Sequence, residues 1–213
     1  MQSWRYGKLF VSFFLYVILM SSPFFTVNTI TQAEYEIKKS RFIGVIMPCS
    51  DEQDALRQLS GLAHQHPQAN HLAFAWRIRQ PEGFLTERFH DAGEPSGTAG
   101  RPILAPMEGE HLINTVIGVV RYFGGIKLGT GGLTRAYATA AKEAIRAASL
   151  HPWVEMQQLM LHIDYSQLQL LEYKLKQLHG KILDQQFTDK VKVLVELPAH
   201  DLDTIKQQFS NSN

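Results

Sequence analysis

Residues 116–137 read V-I-G-V-V-R-Y-F-G-G-I-K-L-G-T-G-G-L-T-R-A-Y, and they leave the chain few ways to fold. The β-branched run Val116, Ile117, Val119 and Val120 has the length and composition of a buried strand. Five glycines then fall within nine residues, at Gly124, Gly125, Gly129, Gly131 and Gly132. From Leu133 the apolar positions are Leu133, Ala136, Tyr137, Ala140, Ala141, Ala144, Ile145 and Ala148, a single helical stripe. Strand, glycine loop and helix in that order present backbone N–H groups and a helix N-terminus to an anion. The loop is neither of the common phosphate fingerprints. No Lys follows Gly129, Gly131 or Gly132, and after Gly129 and Gly131 no glycine stands where a dinucleotide loop needs its last one. The plain alternative is a tight turn.

The rest of the chain supplies partners for that core. Residues 26–37 and 40–48 read as two strands, and Ser50 with Gln53 as a capping box opening a helix that buries Ala55, Leu56, Leu59, Leu62 and Ala63. Residues 70–79 and 84–91 make a hairpin around the turn at 80–83. A second glycine-rich stretch, D-A-G-E-P-S-G-T-A-G-R-P at 91–102, opens a short helix. His151 and Pro152 break the chain. Beyond them come a strand around Leu159 to Ile163, a helix capped by Ser166 and Gln169 and ended by Gly180, strands at 182–187 and 191–197, and a last short helix. The order β-α-β-β-α is a split βαβ unit, a ferredoxin-like domain without its final strand. The predicted division is a hydrophobic leader at 1–25 and two domains of α/β (α+β) type at 26–150 and 153–213.

The first segment is distinct. Arg5 and Lys8 precede an apolar run from Leu9 to Met20, with Ser21, Ser22 and Pro23 after it. This has the shape of a signal peptide, and a run of that length is short for a membrane span. The expectation is that Met20 starts the functional protein and that the leader is outside the fold, which gives a cytoplasmic protein with no stable membrane partner. One cysteine, Cys49, excludes an internal disulfide and suits a reducing compartment. A net charge of +1 selects no class of partner.

The stretches E-I-K-K-S-R-F-I-G at 36–44, D-A-G-E-P-S-G-T-A-G-R-P at 91–102, and V-V-R-Y-F-G-G-I-K-L-G-T-G-G-L-T-R-A-Y at 119–137 closely resemble the YigZ/IMPACT family. The resemblance runs from about residue 34 onward. It implies an N-terminal domain like the second domain of a small-subunit ribosomal protein, and a C-terminal ferredoxin-like domain similar to the last domain of elongation factor G. It also implies translation regulation, because eukaryotic relatives act by binding a ribosome-associated activator of the starvation kinase. Bacterial members have no settled activity, and their fold suggests nucleic-acid binding. The leader and the absent final strand depart from the family pattern.

For chemistry, the candidate anion or nucleic-acid site is Arg121, Lys127, Gly129, Thr130, Gly131, Gly132 and Arg135. The second glycine loop contributes Asp91, Gly93, Glu94, Ser96, Gly97, Thr98, Gly100 and Arg101, and the two stretches are expected to meet in one surface. Three cations beside a glycine loop suit a phosphate backbone, with Tyr122 and Phe123 as stacking platforms or core. Arg135, Lys142 and Arg146 also share a helix stripe that reads as a solvated face, with Glu143 pairing to Arg146. Asp91 and Glu94 either cap amides of their own loop or serve as a base or Mg²⁺ ligands. His64, His66 and His71 lack ligand spacing, Ser96 is not in a nucleophile elbow, and Cys49 reads as structural. No cofactor or metal is called for. The function read from all this is binding, to RNA or a ribosome-associated protein. The alternative is an ATP-dependent phosphotransferase, whose L-G-S-S loop the residues Leu128, Gly129, Thr130, Gly131 and Gly132 echo.

Overall fold

The computed structural model describes residues 24–210 and divides into two compact units, 24–153 and 154–210. Both are of α+β type, as expected. The apolar leader, apart from Phe24 and Phe25, lies outside the described residues.

The first unit contains β1 (Phe25–Val27), β2 (Thr31–Ile37), β3 (Ser40–Pro48), α1 (Glu52–Gln65), β4 (His71–Arg79) and β5 (Leu85–His90), followed by α2 (Gly100–Gly109), β6 (Thr115–Tyr122), α3 (Thr130–Ala147) and β7 (Leu150–Pro152). Five strands form one antiparallel sheet in the order β2-β3-β6-β4-β5. The apolar run at 116–120 occupies its centre, where helices cover both faces. Val116 and Val120 pack towards α1 with Leu59 and Trp76. Ile117 and Val119 pack towards α2 and α3 with Ile103 and Tyr137. Burial on both faces is why β6 reads as a continuous apolar run with no alternation.

Small residues set how closely α3 approaches. Its buried face carries Ala136, Ala140, Ala141 and Ala144, and it lies over Gly44 of β3. A Cβ on Gly44 would be 2.3 Å from the Ala140 carbonyl oxygen, so any side chain there would push the helix off the sheet.

Several local expectations are corrected. Residues 26–37 are two strands, β1 and β2, separated by a bend. The cap of α1 is Asp51, whose carboxylate accepts the Asp54 N–H at 2.8 Å, and not Ser50 with Gln53. Ser50 instead donates its hydroxyl to Asp51. Leu56 and Ala63 face solvent because the sheet takes only the narrower stripe of Ala55, Leu59 and Leu62. Phe25, placed in the leader, and His151 with Pro152, placed in a break, belong to the fold: β1 and β7 pair antiparallel, Phe25 opposite Pro152.

The second unit runs β8 (Met156–Ile163), a 3₁₀ turn (Tyr165–Gln167), α4 (Leu168–Gln177), β9 (Lys181–Phe187), β10 (Val191–Pro198), a second 3₁₀ turn (Ala199–Asp201) and α5 (Leu202–Ser210). The antiparallel sheet has the order β8-β10-β9, and both helices share one core with it through Leu171, Leu175, Ile205 and Phe209. The helix start is again displaced. Asp164 and Gln167 form the capping box, not Ser166 and Gln169. At the end of α4 the left-handed residue is His179, at φ 57°, and the Gly180 N–H reaches back to the Leu175 carbonyl at 2.8 Å. Gly180 is needed for space, since a Cβ there would be 2.8 Å from the Glu196 carbonyl oxygen.

Candidate functional site

The β2–β3 hairpin closes through Lys38 and Lys39, with Ile37 opposite Ser40. Both lysines have positive φ, 47° and 65°, as a two-residue hairpin turn of the primed kind requires. The β3–β6 register sets Arg41 opposite Tyr122, so this turn arrives at the first glycine of the loop after β6. Gly124 donates its N–H to the Ser40 hydroxyl at 3.1 Å. The loop then turns through Gly125 and Gly129, both at positive φ, into α3. Gly129 is the N-cap and provides no side-chain cap to the helix.

The cations around this loop divide into two kinds. Lys127 and Arg135 are exposed, and neither side chain makes an ion pair or hydrogen bond among the described residues. Arg135 bends back towards the loop, with Nη1 3.6 Å from where a Cβ on Gly131 would stand. Arg121 is different. Only 6% of it is exposed, and its Nη1 donates to Glu94 Oε1 at 2.5 Å. The guanidinium lies between the rings of Phe42 and Phe123, and its Nε has no partner among the described residues. The expectation of three surface cations therefore reduces to two, because a charge on the last turn of a doubly covered strand faces the core and must be paired there. Lys142 and Arg146, the outer members of the stripe, line a groove of about 630 Å³ between α2 and α3, and Arg146 is bonded to Glu143 at 2.7 Å.

Asp91 and Glu94, expected to act alike, do different things. Asp91 accepts N–H groups from Gly97 at 2.8 Å, Ala99 at 2.9 Å and Gly100 at 2.8 Å, so it caps the start of α2 from eight and nine residues upstream. Burial pushes its carboxyl up, but these three donors outweigh it and hold the group below the usual carboxylate range. Glu94 caps nothing in its own loop. Its buried carboxylate accepts from Arg121 and from the Tyr137 hydroxyl at 2.7 Å, with His71 Nε2 3.7 Å away. The His71 Nδ1–H is fixed by donation to the Ala92 carbonyl at 2.9 Å. Burial and then the bond to Glu94 push the Tyr137 phenol up, so it stays a donor.

The two glycine stretches are thus linked through side chains, Glu94 of the first to Arg121 and Tyr137 on either side of the second. Their glycines have separate neighbours: Gly93 lies against His71, Gly100 against the His90 backbone, and Gly124 against Lys39. Gly97 is at φ 77° with nothing beside it, and Thr98 is bonded to the Pro95 carbonyl. Ser96 is exposed, and Arg101 pairs with Glu108 at 3.3 Å. Tyr122 is engaged by His66 at 2.8 Å and covered by Arg41, whereas Phe123 is 45% exposed. Cys49 is buried, and burial, followed by the charges of Asp54 and Asp51, pushes its thiol up to about 12, which makes it unreactive at neutral pH. Among the described residues no group of three His, Cys, Asp or Glu is placed to hold a metal ion.

The depressed Asp91 carboxyl carries a pH dependence. A group lowered on folding contributes stability that is present above its unfolded value, near 4, and is lost as pH falls through its folded value. Asp91→Ala is expected to cost about 1–2 kcal/mol at pH 7. Thermal melts of both proteins from pH 7 to pH 2.5 should show that gap closing below about pH 4. A gap constant with pH would mean that the charge is not what holds the three amides.

The Impact N-terminal domain family matches residues 38–145, and a domain of unknown function (DUF1949) matches 161–212. IMPACT family member YigZ of Escherichia coli is 37% identical over 164 residues, 77% of this chain and 80% of that protein. The chain belongs to the IMPACT family. An IMPACT family member of Haemophilus influenzae is 33% identical over 84% of this chain and 87% of its own length. A solved structure described as a hypothetical protein has the same α+β architecture, with a TM-score of 0.66 at 33% identity over 87% of this chain and 90% of that one. Both glycine stretches, and the Glu94–Arg121 pair between them, lie inside the matched IMPACT domain. Sequence reasoning missed that pair and the hairpin turn at Lys38 and Lys39. A charged residue ending an apolar strand run was the available signal for the first.

Proposed function

We propose that the protein regulates translation by binding RNA, through the loop at 124–132 and the start of α3. The family resemblance supports the translation part. The observation that carries the binding part is the pair of exposed, unpaired cations Lys127 and Arg135 beside a helix N-terminus with no side-chain cap. Uncapped N–H groups and their partial positive charge favour a phosphate, and two nearby cations extend that preference along a backbone. Likeness of the first unit to a ribosomal-protein second domain, and of the second to a ferredoxin-like domain, would fit the same setting. A protein partner with an acidic surface would meet the same charges. The two candidate acids do not favour the phosphotransferase alternative: Asp91 is held by three amides and Glu94 by Arg121 and Tyr137, so neither is a free base.

The test is a salt titration of binding to a generic single-stranded RNA. Arg135→Ala should weaken binding about equally across sequences and reduce the slope of log K against log salt by about 0.7, the value for one contact on a single strand. Binding absent at low salt, or unchanged by the substitution, would remove RNA as the ligand of this loop and leave the acidic protein surface.

A further inference from the structure

From the geometry of the hairpin tip we infer that Lys38 and Lys39 form the second wall of this same site, and that its ligand is single-stranded RNA with a base stacked on Phe123. The inference rests on the RNA reading above and adds to it the residues and the strandedness.

Four observations converge. First, both turn residues are held in the left-handed region, where Asn and Gly are favoured and Lys is not. The turn does not call for lysine, so the two charges are unexplained by local structure. Non-glycine residues kept in such conformations concentrate at binding sites. Second, the turn is fastened to the glycine loop. The Gly124 N–H is bonded to Ser40, and a Cβ on Gly124 would be 2.0 Å from the Lys39 carbonyl carbon, so no side chain separates the two segments. Third, both lysines are exposed and neither makes an ion pair or hydrogen bond through its side chain among the described residues. With Lys127 on the glycine loop and Arg135 in the second turn of α3 they make four unneutralised cations around two adjoined loops. Fourth, Phe123 immediately precedes Gly124, where the two loops meet, and is exposed, while the Arg121 guanidinium lies over its ring at 5.6 Å. The buried Arg121–Glu94 pair thus holds an aromatic ring at the surface.

An exposed ring with cations on the adjoining segments is the arrangement that takes up unpaired bases, since every base has a face to stack and only a single strand leaves it free. A duplex would engage the cations and leave Phe123 idle.

The experiment is a fluorescence anisotropy titration of the full chain with a labelled 12-mer of oligouridine and with a 12-base-pair RNA duplex, across a range of salt. The double substitution Lys38→Asn, Lys39→Gly removes both charges while installing residues the turn prefers, so the hairpin is kept, as thermal melting would verify. It should lower affinity for oligouridine about tenfold or more at 0.1 M salt and reduce the salt slope by about 1.4. Phe123→Leu, which keeps an apolar side chain, should weaken oligouridine at least about fivefold and leave the duplex unchanged. If the hairpin variant binds like wild type while Arg135→Ala has lost affinity, the turn is outside the site and the RNA reading survives without it. Equal loss on duplex and single strand from Phe123→Leu, or duplex bound more tightly, overturns the strandedness. No binding of either RNA at low salt overturns both readings together.

Discussion

Glu94→Ala will destabilise the first unit by about 3–5 kcal/mol. The side chain is 3% exposed and provides the only acidic partner of Arg121 among the described residues. Removing it leaves a guanidinium with a partnerless Nε buried between two phenylalanine rings, and leaves the Tyr137 hydroxyl without its acceptor. The desolvation cost of an unpaired buried charge is far larger than the worth of the pair itself. Glu94→Gln keeps an acceptor for Tyr137 and should cost less. Replacing Glu94 and Arg121 together by Leu should recover the part of the loss owed to the unpaired charge, while the Tyr137 hydroxyl stays without its acceptor. Urea unfolding followed by tryptophan fluorescence, with Trp76 buried in the same unit, measures all three. A loss below about 1 kcal/mol for the alanine variant would mean that Arg121 reaches solvent with little rearrangement.

Gly124→Ala should be nearly as damaging, at about 3 kcal/mol or more. The added methyl would stand 2.0 Å from the Lys39 carbonyl carbon, 2.1 Å from its oxygen and 2.4 Å from the Ser40 nitrogen. All three are backbone atoms of a tight turn, so no rotamer change relieves the clash, and the hairpin must part from the loop. Gly125→Ala offers a contrast. Nothing lies within 4 Å of its Cβ position, and only its φ of 83° opposes a side chain, so its cost should stay near 1 kcal/mol. Urea midpoints that place the two variants level would show that the loop yields at Gly124 without disturbing the turn.

What could be read from the chain and what could not divide along a physical line. The stripe from Leu133 to Ile145 was legible because helix period and burial coincide over eighteen residues of α3. β3, β4 and β6 were legible because covered strands need apolar residues. The helix caps were misplaced by one or two residues because Ser50 and Asp51, and Asp164 and Ser166, are chemically similar neighbours, and only the backbone decides which one accepts. The pairing of β1 with β7 was invisible because three-residue strands carry no pattern and their partners stand far apart in the chain, Phe25 against Pro152 and Val27 against Leu150. The site was half legible. Lys127 and Arg135 lie beside their loop in sequence, whereas Arg121 finds Glu94 only once β6 and the first glycine stretch are in place. Residues Lys38 and Lys39 were part of a family motif, but register alone brings them to Gly124.

The β1–β7 clasp has a further consequence, for the order in which the first unit may be strung. Phe25 and Pro152 are cross-strand neighbours, so the unit's two ends stand about 5 Å apart, a gap one or two residues span. The sheet therefore does not depend on where the chain is cut. Joining the ends and opening the exposed turn at 81–83 instead would transpose β5 to the start and β4 to the end, with every strand still beside its present neighbours. Seen this way the first unit is a closed ring of elements, and the link that leads on from Trp153 leaves that ring at its seam.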